Sequence, residues 1–178
     1  HGADIVVLSL GSKTKSQIIE EAVNYAIDHN VLIVAAAGNA NSADNFYPAA
    51  FDGVLGVGAT DKNDEKWILS NYGAQVDVVA PGDGIYSTFN NLADPAGGYA
   101  VLSGTSMATP HVAGLAGLLL AQNPTRTAAE LLSLIETTAT DLGQLGYDNQ
   151  FGFGRIDALA ALQAEETANV EAAMLSGV

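Results

Sequence analysis

The chain has 178 residues, enough for one domain with a buried core and too few for two full ones. Hydrophobic residues make up 48% and charged residues 15%, which excludes intrinsic disorder, and the lack of cysteine excludes disulfides, zinc–thiolate sites and thiol catalysis. Six Lys and Arg against 20 Asp and Glu leave a net charge of -14, so nucleic acid and anionic membrane are not expected as partners; no apolar run reaches the ~18 residues of a membrane span.

Asp4 to Leu10 (DIVVLSL) is a short apolar run rich in β-branched residues, the pattern of a strand covered on both faces. From Lys15 to His29, apolar residues at Ile18, Ile19, Ala22, Val23, Ala26 and Ile27 recur at helical spacing opposite Glu20, Glu21 and Asp28. Val31 to Ala37 is a second buried strand, and the three segments form a βαβ unit with parallel strands. Strands follow at Val54 to Thr60 and Val76 to Ala80, with Gly, Asn, Asp and Pro supplying the turns between. Met107 to Gln122 is almost wholly apolar and reads as a helix buried on most sides. Thr127 to Thr137 and Asp157 to Gln163 are two more helices, N-capped by Thr127 and Asp157. The fold class is α/β, a doubly wound, mostly parallel sheet with helices on both faces. Residues 1–164 form the domain and 165–178 an acidic, Ala-rich tail. No basic stretch leads into an apolar segment at the N-terminus, so the chain reads as soluble and mature or trimmed.

Ser103 to Gly114 (SGTSMATPHVAG) carries the strongest chemical signal, because a Gly-flanked strand end runs there into the buried helix. Ser106 at that junction has free helix N–H groups and the positive end of the helix dipole behind it, which favours developing negative charge. If Ser106 precedes the first helical residue, Pro110 falls where its missing N–H goes unused. An ordinary N-cap serine is the alternative reading of a Thr-Ser pair before a helix.

GTSMATPHVAG resembles the nucleophile segment of the subtilisin-like serine proteases, the subtilases. VAAAGN at Val34 to Asn39 is similar to the family's oxyanion-hole segment, LSLG at Leu8 to Gly11 to a substrate edge, and FGFGRIDA at Phe151 to Ala158 to the closing motif. The resemblance covers residues 2 to 164. It implies a subtilisin-like fold, incomplete at its N-terminal side, in which Ser106 attacks a peptide carbonyl. The Asn39 amide and the Ser106 N–H would receive the oxyanion. Alone, Asn39 also reads as a left-handed turn residue after Gly38.

The resemblance further implies that a polypeptide substrate lies between Ser9, Leu10 and Gly11 on one edge and Ala36, Ala37 and Gly38 on the other, beside Thr105. Phe46 falls near the base of the pocket between these edges and makes it shallow, unless its ring turns into the core. Tyr47-Pro48 resembles a segment that is cis in the family.

A serine nucleophile needs a base, which in this family is a histidine oriented by an aspartate, both preceding the serine in the chain. Neither partner is found upstream of Ser106: His1 lacks the family's motif and reads as a boundary residue, and His29 ends a surface helix. Five helical steps turn His111 about 140° from Ser106, the place of a packed helix histidine. The chain is therefore expected to work with an N-terminal fragment of the same protease that supplies Asp and His, or to self-associate through its open sheet edge.

No cofactor is required for the chemistry. Asp77, with carbonyls around Ala49 to Val54, resembles a weak calcium site of the family, although the neutral Gln75 stands where relatives can have a carboxylate. A surface aspartate without an ion is the alternative. Asp61 to Glu65 lacks the Gly and spaced Glu of an EF-hand and reads as a solvated turn. The family is mostly secreted, which the acidic balance suits. Two other functions compete with a serine endopeptidase. One is a catalytically inactive subtilase-like module that binds extended peptides or self-associates. The other is a lipase or esterase, disfavoured because Gly-Thr-Ser-Met-Ala lacks the G-x-S-x-G elbow and no triad histidine follows the serine.

Overall fold

The computed structural model describes residues 2–90 and 98–164. His1 and the expected tail at 165–178 lie outside the described residues. Four parallel strands, β1 (Ile5–Leu8), β2 (Leu32–Ala36), β3 (Val54–Thr60) and β4 (Val78–Pro81), pair in the order β1-β2-β3-β4. Helices α1 (Gln17–Asp28), α2 (Thr105–Gln122) and α3 (Ala128–Thr137) cover the sheet.

Alternation along the central strands assigns each helix to a face. In β2, Leu32 and Val34 point into the larger core with Val112, Leu115 and Leu119 of α2 and Leu131 and Ile135 of α3. Ile33 and Ala35 point the other way, toward Val23 of α1 and Phe51. All five residues of β2 and all seven of β3 are buried, as their unbroken apolar runs require. The doubly covered α/β sheet of the sequence reading is the observed one.

Several boundaries differ. The first strand is trimmed to Ile5–Leu8 and the first helix to Gln17–Asp28, because the flanking residues turn out of the ladder or helix. The fourth strand starts at Val78 instead of Val76, since Val76 closes a turn on the Gly73 carbonyl. An antiparallel hairpin, β5 (Ile85–Phe89) with β6 (Gly98–Leu102), was not expected. It carries apolar residues that remain exposed, with Tyr86 and Tyr99 stacked 5.1 Å apart, so burial does not mark it in sequence.

The caps agree with expectation. Thr127 accepts from the Glu130 N–H while the Glu130 carboxylate accepts from the Thr127 N–H, a capping box. Asp157 accepts from the Ala160 N–H at 2.9 Å, before a helix at residues 158–164. The C-terminal end of α2 is closed by buried Arg126, whose guanidinium donates to the Leu119 carbonyl and to Gln122 Oε1.

Gly56 in β3 packs under the loop that carries Gln75, and a Cβ there would collide with the Gln75 carbonyl oxygen. Gly56→Ala is therefore expected to destabilise the domain by about 1–3 kcal/mol or more through overpacking, read as a lower urea midpoint at unchanged m-value.

Candidate active site

Helix α2 begins earlier than the sequence suggested. Gly104 is its N-cap at φ +153°, and Ser106 is the second helical residue. Pro110 therefore stands sixth in the helix, where its missing N–H leaves the Ser106 carbonyl without its intrahelical donor. The Ser9 hydroxyl fills that vacancy, donating to the Ser106 carbonyl at 2.9 Å. In return the Ser106 hydroxyl donates to the Ser9 carbonyl at 3.1 Å. This reciprocal pair joins the chain leaving β1 to the first turn of α2, whose early N–H groups have no helical partner.

Asn39, just beyond β2, faces the same turn. Its Oδ1 accepts from the Thr105 N–H at 2.9 Å and from the Thr105 hydroxyl at 2.8 Å. Those two bonds fix which end of the amide is oxygen and leave Nδ2 as a donor not used by Thr105. A Cβ on Gly104 would lie 3.3 Å from that Nδ2, and the positive φ is one only glycine adopts easily, so the residue is needed twice. The Gly38 N–H donates to Thr105 Oγ1 at 3.2 Å.

Thr105 is fully buried with its hydroxyl engaged on both sides. It therefore positions Asn39 and Gly38 from beneath, which corrects the expectation of substrate contact. The two expected edges also differ in kind. Ser9, Leu10 and Gly11 are exposed, Leu10 by 61%. Ala36 and Ala37 are buried, the Ala37 N–H donates to the Val57 carbonyl, and Asn71 Nδ2 donates to the Ala37 carbonyl at 2.8 Å. The Gly38 carbonyl accepts from the Asn71 N–H. With these groups already paired, Ala36 to Gly38 form a wall and not a free strand edge.

Asn71 is the residue that sequence reasoning missed. It is buried, and its Oδ1 also accepts from the Ala40 and Ser42 N–H groups, so one side chain holds the whole segment after β2. A polar Ser70-Asn71 pair between buried strands was the available signal. Phe46 lies between the two edges and does not turn into the core. A Cβ on Gly38 would sit 3.0 Å from its Cγ, and one on Gly11 2.9 Å from its Cδ1. The Tyr47–Pro48 peptide bond that follows is cis.

Ser106 opens into a cleft of about 360 Å³ between the β5–β6 hairpin and α2, lined also by Leu102, Met107, Pro110 and His111. His111 is exposed and lines this cleft, which corrects its expected place as a packed helix histidine; the hairpin that forms the opposite wall was absent from the sequence reading. Its Nδ1 bonds back to the Met107 carbonyl of its own helix at 2.9 Å. Among the described residues no titratable side chain is hydrogen-bonded to the Ser106 hydroxyl.

Residues 1–154 match the family model of the subtilase family. Thermitase from Thermoactinomyces vulgaris is 45% identical over 163 residues, 92% of this chain and 55% of that protein. Subtilisin BL from Lederbergia lenta is 43% identical over 161 residues, 90% of this chain and 57% of that protein. Among solved structures, a protease from Pseudoalteromonas arctica superposes with a TM-score of 0.81 at 33% identity, covering 91% of this chain and 51% of that one. The prenylagaramide maturation protease PagA superposes with a TM-score of 0.78 at 31% identity, covering 91% and 62%. A parallel sheet whose C-terminal strand ends meet a helix-borne serine defines the class. The chain belongs to the subtilase family of subtilisin-like serine proteases. It spans about half the length of the curated relatives it matches.

Away from the serine, Asp77 is half-buried. Its Oδ2 accepts from the Gly56 N–H at 2.6 Å, and burial pushes its pKa up from 3.8 to about 6. Glu136 of α3 is pushed from 4.5 to about 7 by burial and by the negative charge of Asp77. Asp61, by contrast, accepts from the Asn63 and Glu65 N–H groups, which hold its pKa down in the expected solvated turn. Because the folded state holds protons on Asp77 and Glu136 more tightly than the unfolded chain, stability falls as pH rises from about 4 to about 7. Thermal melts across that range should show a declining Tm, and Glu136→Gln should flatten the decline.

Proposed function

We propose that this chain is the nucleophile-bearing portion of a serine endopeptidase, hydrolysing peptide bonds by acyl transfer through Ser106. The observation that carries the reading is the fixed relation of Asn39 to the first turn of α2: Thr105 holds Oδ1, which leaves Nδ2 as a donor at the turn that carries Ser106. As the substrate carbonyl becomes tetrahedral, that amide and the Ser106 N–H receive the charge on its oxygen. Ser9, Leu10 and Gly11 offer the exposed edge along which an extended polypeptide lies.

The Ser9 carbonyl is no base, so the proton of Ser106 needs another acceptor within about 2.6–3.2 Å. We assign this to an N-terminal portion of the same protease that supplies His and Asp, docked where Ser106 faces the cleft. Two features favour such a partner. β1 pairs only with β2 among the described residues, leaving one side of its ladder open. An apolar groove of about 620 Å³ runs between α1 and the chain around β1, with Ile18 exposed by 80%. The acidic surface suits secretion, and none of the described helices is long and apolar enough to cross a membrane.

A structural cation, calcium being the candidate, fits Asp77 only weakly. The half-buried Asp77 and the exposed Asp52 line the site, one Asp77 oxygen already accepts an N–H, and Gln75 Oε1 accepts from the Phe46 N–H. The group would aid stability and take no part in catalysis. Calcium is expected to raise Tm more at pH 8 than at pH 5, because protonation of Asp77 near pH 6 competes with binding.

The test of the main reading is fluorophosphonate labelling of the chain assembled with a portion carrying His and Asp. Ser106 is expected to label rapidly and Ser106→Ala not at all. Asn39→Ala should cost about 10²–10³ in turnover, the value known for the corresponding amide of subtilisin. The chain alone is expected to associate in light scattering and to label slowly. An unlabelled assembly would leave a peptide-binding module in place of an enzyme.

A further inference from the structure

We infer that Lys66 is a positioning residue for the Asn39 amide, its ammonium tying the segment that carries Asn39 to the loop that braces it; this rests on the protease reading above. Lys66 is half-buried and pairs back on Thr60, the last residue of β3, through an isolated antiparallel bridge. Its Nζ donates to Asn41 Oδ1 at 2.9 Å, to the Ser70 carbonyl at 3.1 Å and to the Trp67 carbonyl at 3.4 Å. Those oxygens use all the donors an ammonium has, and the charge also lies 5.6 Å from the centre of the Tyr72 ring. Among the described residues no carboxylate pairs with Lys66. Burial pulls its pKa below the usual lysine value, so the charge sits partly out of water and is held by neutral oxygens.

The two segments that Lys66 joins are zipped along residues 37–42 and 66–72. The Asn41 N–H donates to the Leu69 carbonyl at 2.9 Å, the Asn71 N–H to the Gly38 carbonyl at 2.9 Å and the Tyr72 N–H to the Ser42 carbonyl at 3.1 Å. The Asn71 side chain adds the Ala37 carbonyl and the Ala40 N–H, so both neighbours of Asn39 are held from this loop. The loop is itself anchored to the sheet. Ser70 Oγ accepts from the Ala59 N–H of β3 and donates to the Asn71 carbonyl, each at 3.0 Å.

Lys66 closes the open end of this ladder. Asn41 is exposed and stands at φ +47°, a left-handed conformation that costs a non-glycine residue energy, and the ammonium on its Oδ1 holds it there. Without that bond the turn after Asn39 relaxes while Thr105 still holds Oδ1, so the amide stays in the site and loses its aim. Small displacements are costly in such a place, since about 1 Å of misplacement can cost about 10²-fold in rate.

The test uses the chain assembled with the portion that supplies His and Asp, with kcat and KM read on a p-nitroanilide peptide. Lys66→Met keeps an unbranched stem and removes the donors; it is expected to lower kcat by about tenfold at unchanged KM, a fraction of the about 10²–10³ that loss of the amide costs. Lys66→Arg restores charge and donors and should recover most of that loss. Lys62→Met removes an exposed positive charge from the same loop and should leave kcat as it is. The double variant decides: in an Asn39→Ala background Lys66→Met should cost nothing further, because a residue acting through Asn39 has nothing left to position. An undiminished loss in that background, a loss in KM alone, or unchanged kcat in folded Lys66→Met overturns the assignment. Should Lys66→Met not fold, Asn41→Gly removes the acceptor and tolerates the positive φ, and the same cycle with Asn39→Ala decides.

If the wild-type assembly does not label with fluorophosphonate, the protease reading fails instead, and positioning is read from the Asn39 side-chain amide resonances, assigned by their absence in Asn39→Ala. Lys66→Met is then expected to shift them and Lys62→Met to leave them in place. Asn39 resonances unmoved by Lys66→Met overturn the positioning role.

Discussion

The two hydrogen bonds from Thr105 to Asn39 Oδ1 are the constraint on which the site depends. They join the chain leaving a central strand to the first residue of a helix 66 positions later. Asn39 lies just beyond β2, which is buried along its whole length, and Thr105 opens α2, which packs against all four strands of the parallel sheet. A threonine with no solvent exposure thereby sets the orientation of the Asn39 amide. The bond from Gly38 to Thr105 Oγ1 and the Asn71 bonds behind it remove the remaining freedom of this segment. Preorganisation of this kind stabilises developing charge without reorganisation during the reaction.

Proline within the helix produces the second link. By removing one donor, Pro110 frees the Ser106 carbonyl, to which the Ser9 hydroxyl donates, while the Ser9 carbonyl accepts a hydrogen bond from the Ser106 hydroxyl. The Ser106 hydroxyl is thus oriented by main-chain and hydroxyl groups of the chain leaving β1. Position and proton acceptance are separate functions here: the described chain fixes the first, and the reading above assigns the second to a partner.

Sheet and surface leave room for the partner proposed above. β2 and β3 are sealed on both faces, whereas β1 has one neighbour and α1 exposes Ile18 and Ile19 beside an apolar groove. Burying such surface stabilises by roughly 25 cal/mol per Å². The groove and the cleft at Ser106 are accordingly the places where added chain would gain most. The half-buried pair Asp77 and Glu136 works in the opposite sense, two carboxyls kept from water and raised in pKa by burial.

The sequence by itself determined the elements whose signal is local. The runs at 32–36 and 54–60 specified buried parallel strands, and Thr127 with Glu130 specified a cap, because each depends on neighbours within a few residues. The long motif around Ser106 and the VAAAGN segment identified the family for the same reason. Only the tertiary structure decided how segments far apart in the chain meet. That Thr105 acts from beneath, that Asn71 braces the wall, that His111 faces the cleft and that the Phe46 ring stands between Gly11 and Gly38 all depend on such contacts. The exposed β5–β6 hairpin escaped notice because its pairing is antiparallel and its apolar residues are not buried. Periodicity reports which face of an element is covered, and it carries no information about which distant side chain does the covering.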